Sequence, residues 1–163
     1  MRVISKLLGG IFLLASAALI LMSLPQRGDS SAPSRNMSGQ AAAQDVPAYH
    51  EQAPKEALPA TMDPHAFTDI LVQNAYTLAG QVKKTLYQQP CYCHCDRSQG
   101  HGSLLDCFVS RHGSGCNICM AEALYAYEQV QKKKTAAQIR AGIERGEWNT
   151  VDLNKYSAPL PAK

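Results

Sequence analysis

Apolar and polar positions divide the chain of 163 residues into stretches of different character. An apolar run over residues 7–24 follows Arg2 and Lys6, which is the charge order of an export signal. From Pro25 to about Met62 the chain is rich in Ser, Ala, Gln and Pro and shows neither a helical nor a strand period, so a flexible linker is expected there. Helical periodicity starts after it. Phe67, Leu71, Ala75, Leu78, Val82 and Leu86 recur at three- and four-residue spacing. They predict one long amphipathic helix, opened by Asp63 as cap with Pro64 in the first position and ended before Pro90. Cys116, Cys119, Met120, Ala123, Tyr127 and Val130 form a second stripe, predicting another long helix with both cysteines on its inward face. Thr135 and Gln138 have the spacing of a capping box and open a last helix that turns Ile139 and Ile143 inward and ends near Gly146. Trp148 is expected to close one end of the core. Between the long helices, Ser103 is placed to cap a short turn over residues 104–108, whereas Gly100-His101-Gly102 and His112-Gly113-Ser114-Gly115 read as loops.

The expected fold class is therefore all-α, a small helical domain of about three helices with a cysteine-rich loop over residues 63–150. Residues 1–24 precede it as signal peptide or membrane anchor, 25–62 as linker, and 151–163 follow as a tail. A domain of roughly 90 residues buries a modest share of its surface, so cross-links through metal or disulfides add useful stability. Net charge is only +3 and the basic residues are scattered except for Lys132, Lys133 and Lys134, which indicates no nucleic-acid-binding face. No acid/base pair, nucleophile triad, phosphate loop or cofactor fingerprint is present, leaving a hydrolytic or nucleotide-dependent enzyme without support. The apolar run is long for a signal-peptide core and at the short limit for a membrane span. Cleaved signal and anchor both stay open. The small residues Ala41-Ala42-Ala43 resemble a cleavage site but lie far beyond the run. If the segment is uncleaved, the membrane is a partner, Arg2 and Lys6 hold the N-terminus in the cytoplasm, and the domain faces the periplasm or cell envelope. No cysteine lies near the N-terminus for lipid attachment.

All six cysteines fall between residues 91 and 119. Cys91, Cys93 and Cys95 form C-x-C-x-C, which in an extended loop points alternate side chains the same way. Cys116 and Cys119 form C-x-x-C at a helix N-terminus, where the helix dipole favours thiolate. Cys107 lies between, and His94, His101 and His112 interleave. Convergent thiolates and imidazoles are soft-metal ligands, so these nine side chains are the candidate site, with Cu(I) or Zn(II) as the ion. Two other readings stay open. An exported small domain with an even cysteine count is a setting for a disulfide framework, in which each C-x-C-x-C cysteine would need a partner among Cys107, Cys116 and Cys119. Alternatively, Cys116 and Cys119 form the redox pair of a thiol–disulfide oxidoreductase, without the βαβ pattern of a thioredoxin-like one.

Pro90-Cys91-Tyr92-Cys93-His94-Cys95-Asp96 resembles the signature of the PCYCGC-motif, or CYCXC, family of exported bacterial proteins. Gly100-His101, Ser103-Leu104, Asp106-Cys107-Phe108-Val109, Cys116 with Cys119, and Ile139-Arg140 look like its later blocks, so the resemblance spans roughly residues 64–148. His94 stands where that family often has glycine, which weakens His94 as a ligand. The resemblance implies export, often as lipoproteins, and soft-ligand or redox chemistry, since some members look like selenoproteins at a cysteine position. It implies no particular activity.

Overall fold

A computed structural model describes residues 46–161. The apolar run at residues 7–24 and the alanine cluster at 41–43 lie outside them. Among the described residues the fold is all-α, with five helices and no strand: α1 (Ile70–Gln81), α2 (Lys83–Leu86), α3 (Cys95–Gln99), α4 (Asn117–Gln131) and α5 (Ala136–Glu144). Short 3-10 turns link them. No helix among these residues is long and apolar enough to cross a membrane.

The first long helix of the sequence reading is in fact three pieces. Asp63 does act as a cap, its Oδ1 accepting from the His65 backbone N–H at 2.9 Å, but it opens only the 3-10 turn Pro64–Ala66. Phe67 is then extended (φ −115°, ψ 152°), and Asp69 starts α1 by accepting from the N–H groups of Leu71 and Val72 at 2.8 and 3.4 Å. A second carboxylate cap close behind the first divides the pattern, because each satisfies its own set of unpaired helix N–H groups. At the other end Val82 leaves helical geometry (φ −122°, ψ 25°) and α2 begins afresh. The periodic stripe survives these breaks: Phe67, Ala75, Leu78, Val82 and Leu86 are buried, and Leu71 packs at the margin.

α4 forms the centre of the domain. Residues 119–126 are buried without interruption, so the helix is enclosed on nearly every side, with α1 as its main partner. A helix buried all round has no single apolar stripe to announce it, which is why only part of its core face was legible in the spacing. Tyr76 of α1 is fully buried and joins an aromatic row, its ring centroid 4.5 Å from Phe67 and 5.0 Å from Phe108. The capping box of α5 forms as expected: Thr135 Oγ1 accepts from Gln138 N–H at 3.3 Å and Gln138 Oε1 from Thr135 N–H at 3.0 Å. Ile139 and Ile143 are fully buried and Trp148 packs against the core.

Residues 46–62 contain no regular element but contact the helices. Met62 N–H donates to the Phe108 carbonyl at 2.8 Å, Lys83 donates to the carbonyls of Leu58 and Pro59 at 3.3 and 2.9 Å, and His50 stacks on Tyr87 at 3.9 Å. At the other end Asn74, buried in α1, donates to the carbonyls of Tyr156 and Ala158 at 2.7 Å each.

Candidate metal centre

Four short segments deliver the cysteines to one place. Gln89, buried with its Nε2 donating to the carbonyls of Thr85 and Ala136 at 3.0 and 3.3 Å, fixes the end of α2 against α5. The chain then enters Pro90-Cys91-Tyr92-Cys93. His94 N–H donates to the Cys91 carbonyl at 3.0 Å, and His94 itself is left-handed (φ 56°, ψ 40°), turning the chain into α3 at Cys95. The segment is therefore folded, not extended. Cys93 and Cys95 have Cα atoms 5.7 Å apart, against about 7 Å for two residues of extended chain, and their sulfurs are joined. The left-handed residue between them brings both side chains to one side. Cys91, Cys107, Cys116 and Cys119 are free thiols, so the structure contains neither a three-bridge framework nor a Cys116–Cys119 bond.

Cys107 ends the 3-10 turn Leu104–Cys107. Asp106 holds that turn's start by accepting from the N–H groups of Gly102 and Ser103 at 2.7 and 3.1 Å. The glycine-containing stretch His112–Gly115, read as a loop, is itself a 3-10 turn that leads into α4. Cys116 caps α4, its sulfur accepting from Cys119 N–H at 3.4 Å, and so stands before the helix and not on its buried stripe. Cys119, one turn in, is fully buried.

The sulfurs meet at the centre. Cys91 lies 3.5 Å from both Cys93 and Cys119, and Cys93 lies 3.4 Å from Cys119. Cys107 is 3.9 Å from Cys91, 3.8 Å from Cys95 and 3.7 Å from Cys119. His112 Nε2 is 3.0 Å from the Cys95 sulfur. Two sets of four have ligand atoms all within 4.8 Å of one another: Cys91, Cys93, Cys95 and Cys119, and Cys95, Cys107, His112 and Cys119. Three expected ligands stand outside both sets. His101 Nδ1 is 3.3 Å from the Cys107 sulfur, with its ring edge-on to His112 at 5.0 Å. The Cys116 sulfur accepts from the Cys119 backbone N–H at 3.4 Å, and His94 lies edge-on to Tyr92 at 6.1 Å.

The electrostatics favour neutral thiols until something replaces their protons. Cys119 is pushed far up by its contact with Cys107 and by burial. For Cys91, hydrogen bonding with Cys107 pulls down but is outweighed by contact with Cys119 and by burial. Cys107 is likewise lowered by Cys119 and raised further by Cys91 and burial. His101 is held below the usual histidine range by burial and by His112.

Glu122 is the residue that spacing alone missed. It is fully buried on α4, and its Oε1 accepts from Tyr92 N–H at 2.8 Å, tying the cysteine loop to the central helix. Its Oε2 is buried without a hydrogen-bond partner, and burial raises its carboxyl to about 7. The available signal was a lone carboxylate inside the apolar run Met120-Ala121-Glu122-Ala123-Leu124.

A helical domain closed around clustered thiols is thus the class of protein that fold and site define. The chain belongs to the family described as "Protein of unknown function with PCYCGC motif", whose model matches residues 14–149. Here the motif reads Pro90-Cys91-Tyr92-Cys93-His94-Cys95, with His94 at the glycine position. No curated protein and no solved structure matches the chain.

Proposed function

We propose that this protein is an exported soft-metal-binding protein that takes Cu(I) or Zn(II) at the clustered cysteines and serves metal handling or resistance. One observation carries the reading: the sulfur–sulfur distances of 3.4–3.9 Å. A tetrahedral ion with metal–sulfur bonds of about 2.3 Å needs thiolates about 3.8 Å apart. An iron–sulfur cluster interposes sulfides and several irons, and would need a wider cage. Buried thiols with raised pKa values are poor nucleophiles but good metal sites, since the cation takes the place of the proton. The positive residues before the apolar run support a domain outside the cytoplasmic membrane.

Native mass spectrometry of the reduced full chain tests the reading. Offered Cu(I) or Zn(II), it should retain about one or two ions per chain, and Cys119→Ser should strongly reduce retention. Three bridges with no free thiol and no metal would overturn it. Orientation has its own check: a reporter active only in the cytoplasm, fused after Lys163, should be silent.

The bonded pair Cys93–Cys95 favours a second reading, a thiol–disulfide redox protein using that pair in place of Cys116 and Cys119. Such a protein would exchange the bond rapidly with a thiol buffer and retain no metal when reduced.

A further inference from the structure

Cys95 and Cys119 belong to both four-residue sets. Two four-coordinate ions call for eight ligand positions, and six side chains fill them only if two side chains bridge. The shared pair has the chemistry for it. A thiolate sulfur carries several lone pairs and can hold two ions, whereas an imidazole nitrogen offers one; the single histidine, His112, is a member of one set only.

We propose that the reduced centre is binuclear. One soft ion lies among Cys91, Cys93, Cys95 and Cys119, a second among Cys95, Cys107, Cys119 and His112, and the Cys95 and Cys119 sulfurs bridge them. The inference rests on the soft-metal reading above.

Each ion displaces the protons of the thiols that bind it, and thiols left unbound stay neutral. The buried polar and charged residues described are Asn74, Gln89, Ser103, Glu122 and Gln129, with no lysine or arginine among them, so the charge of each thiolate formed here is offset by the bound cations themselves. Each set has one partly exposed member, Cys93 in the first and His112 in the second.

The Cys93–Cys95 bond must open first. A small dithiol does this by exchange: it is oxidised to its cyclic disulfide, the S–S bond breaks, and two electrons and two protons pass to the cysteine pair. The incoming ions then displace the thiol protons to solvent.

Cadmium-113 is the probe, offered to the full chain in dithiol buffer and followed by native mass spectrometry and NMR. About two ions per chain are expected, giving two resonances of equal intensity. The all-sulfur site should lie downfield of the site with one nitrogen, and each resonance should be split by the other ion through the shared sulfurs. Cys93→Ser and His112→Ala alter partly exposed residues, and each should cut retention from about two ions to about one. Cys95→Ser should remove one of the two bridging paths and so reduce the splitting. One ion and one resonance, or two resonances without splitting, would overturn the binuclear centre and leave soft-metal binding standing. Failure of the reduced chain to retain any ion would overturn both.

Discussion

Gly113 and Gly115 occupy one 3-10 turn but face different surroundings, and alanine at each position tests how the turn supports the site. A Cβ on Gly113 would stand 2.8 Å from the Cys107 carbonyl oxygen and 3.3 Å from the Tyr76 hydroxyl. Comfortable heavy-atom contacts begin near 3.5 Å, so the Cys107 backbone must retreat by about 0.7 Å. That backbone carries the Cys107 sulfur, a member of one of the two sets, and Tyr76 donates to its carbonyl at 3.4 Å as well as to that of Ser110 at 2.7 Å. Overpacking costs about 1–3 kcal/mol and a disturbed hydrogen bond about 1 kcal/mol. Reduced freedom of the unfolded chain returns about 0.4–1 kcal/mol. Gly113→Ala should therefore destabilise by about 1–3 kcal/mol. Nothing lies within 4 Å of a Cβ on Gly115, and neither glycine has positive φ, so Gly115→Ala should stay within about 0.5 kcal/mol of the parent.

Urea unfolding of the metal-free, reduced proteins measures the first difference, as a lower midpoint for Gly113→Ala at unchanged slope. Competition with a chromogenic chelator measures the second: displacement of a ligand's support should weaken metal retention about 10- to 100-fold in Gly113→Ala alone. If the two alanine variants behaved alike in both assays, the close contact between this turn and Cys107 would not govern the site.

His94→Gly should raise stability by about 0.5–1 kcal/mol, because a left-handed backbone penalises a side chain, and should leave the bound metal count unchanged; loss of an ion would make His94 a ligand. Tyr76→Phe should cost about 1 kcal/mol in urea unfolding by removing the donor to Ser110, and an unchanged midpoint would contradict that bond. Glu147 is held below the usual carboxylate range by the Tyr125 hydroxyl and then by Arg145. A lowered folded pKa gives stability that is present above the unfolded value of 4.5 and lost as pH falls through the folded one. Glu147→Gln should flatten that acid limb in thermal melts, and an identical pH profile in the variant would refute the link.

Helix class and the inward residues of the periodic segments were readable because burial imposes a period that survives local breaks: Phe67, Ala75 and Val82 remain on the core side although the helix is cut twice. The cuts were less readable. Asp69 had the chemistry of a cap, but it lay within a stripe whose period continued through it. The gathering of cysteines was evident from their density, and the structure brings Cys91, Cys93, Cys95, Cys107, Cys119 and His112 together. Which sulfurs meet depends on backbone turns that side-chain spacing does not report. His94 illustrates this: its left-handed conformation both joins Cys93 to Cys95 and directs the following helix, and it accounts for a glycine at the corresponding place in the PCYCGC motif. Cys116 shows the converse. Helical spacing put it on the same face as Cys119, yet it is the cap, where backbone geometry has already departed from the helix.

Four of the cysteines are core residues as well as candidate ligands, and this determines what metal does to stability. Cys91, Cys95, Cys107 and Cys119 are buried among Tyr76, Leu104, Leu105 and Phe108 in one apolar cluster, with Cys93 packed against it. A neutral thiol behaves there as a small hydrophobe, so α1 and α4 have apolar contacts that do not depend on an ion. Glu122 adds a second tie by holding Tyr92. The reduced, metal-free chain should therefore keep its helical circular dichroism, in contrast to small zinc modules that unfold when stripped. Loading should then raise the unfolding midpoint with the logarithm of free metal, through a stabilisation of about 2.7 kcal/mol per site when free metal is a hundredfold above its dissociation constant. The assay is a melt of the reduced full chain with and without a chelator. A helical signal that vanished on chelation would refute the argument, because it would mean that the ion, and not the thiol-lined core, holds the helices together.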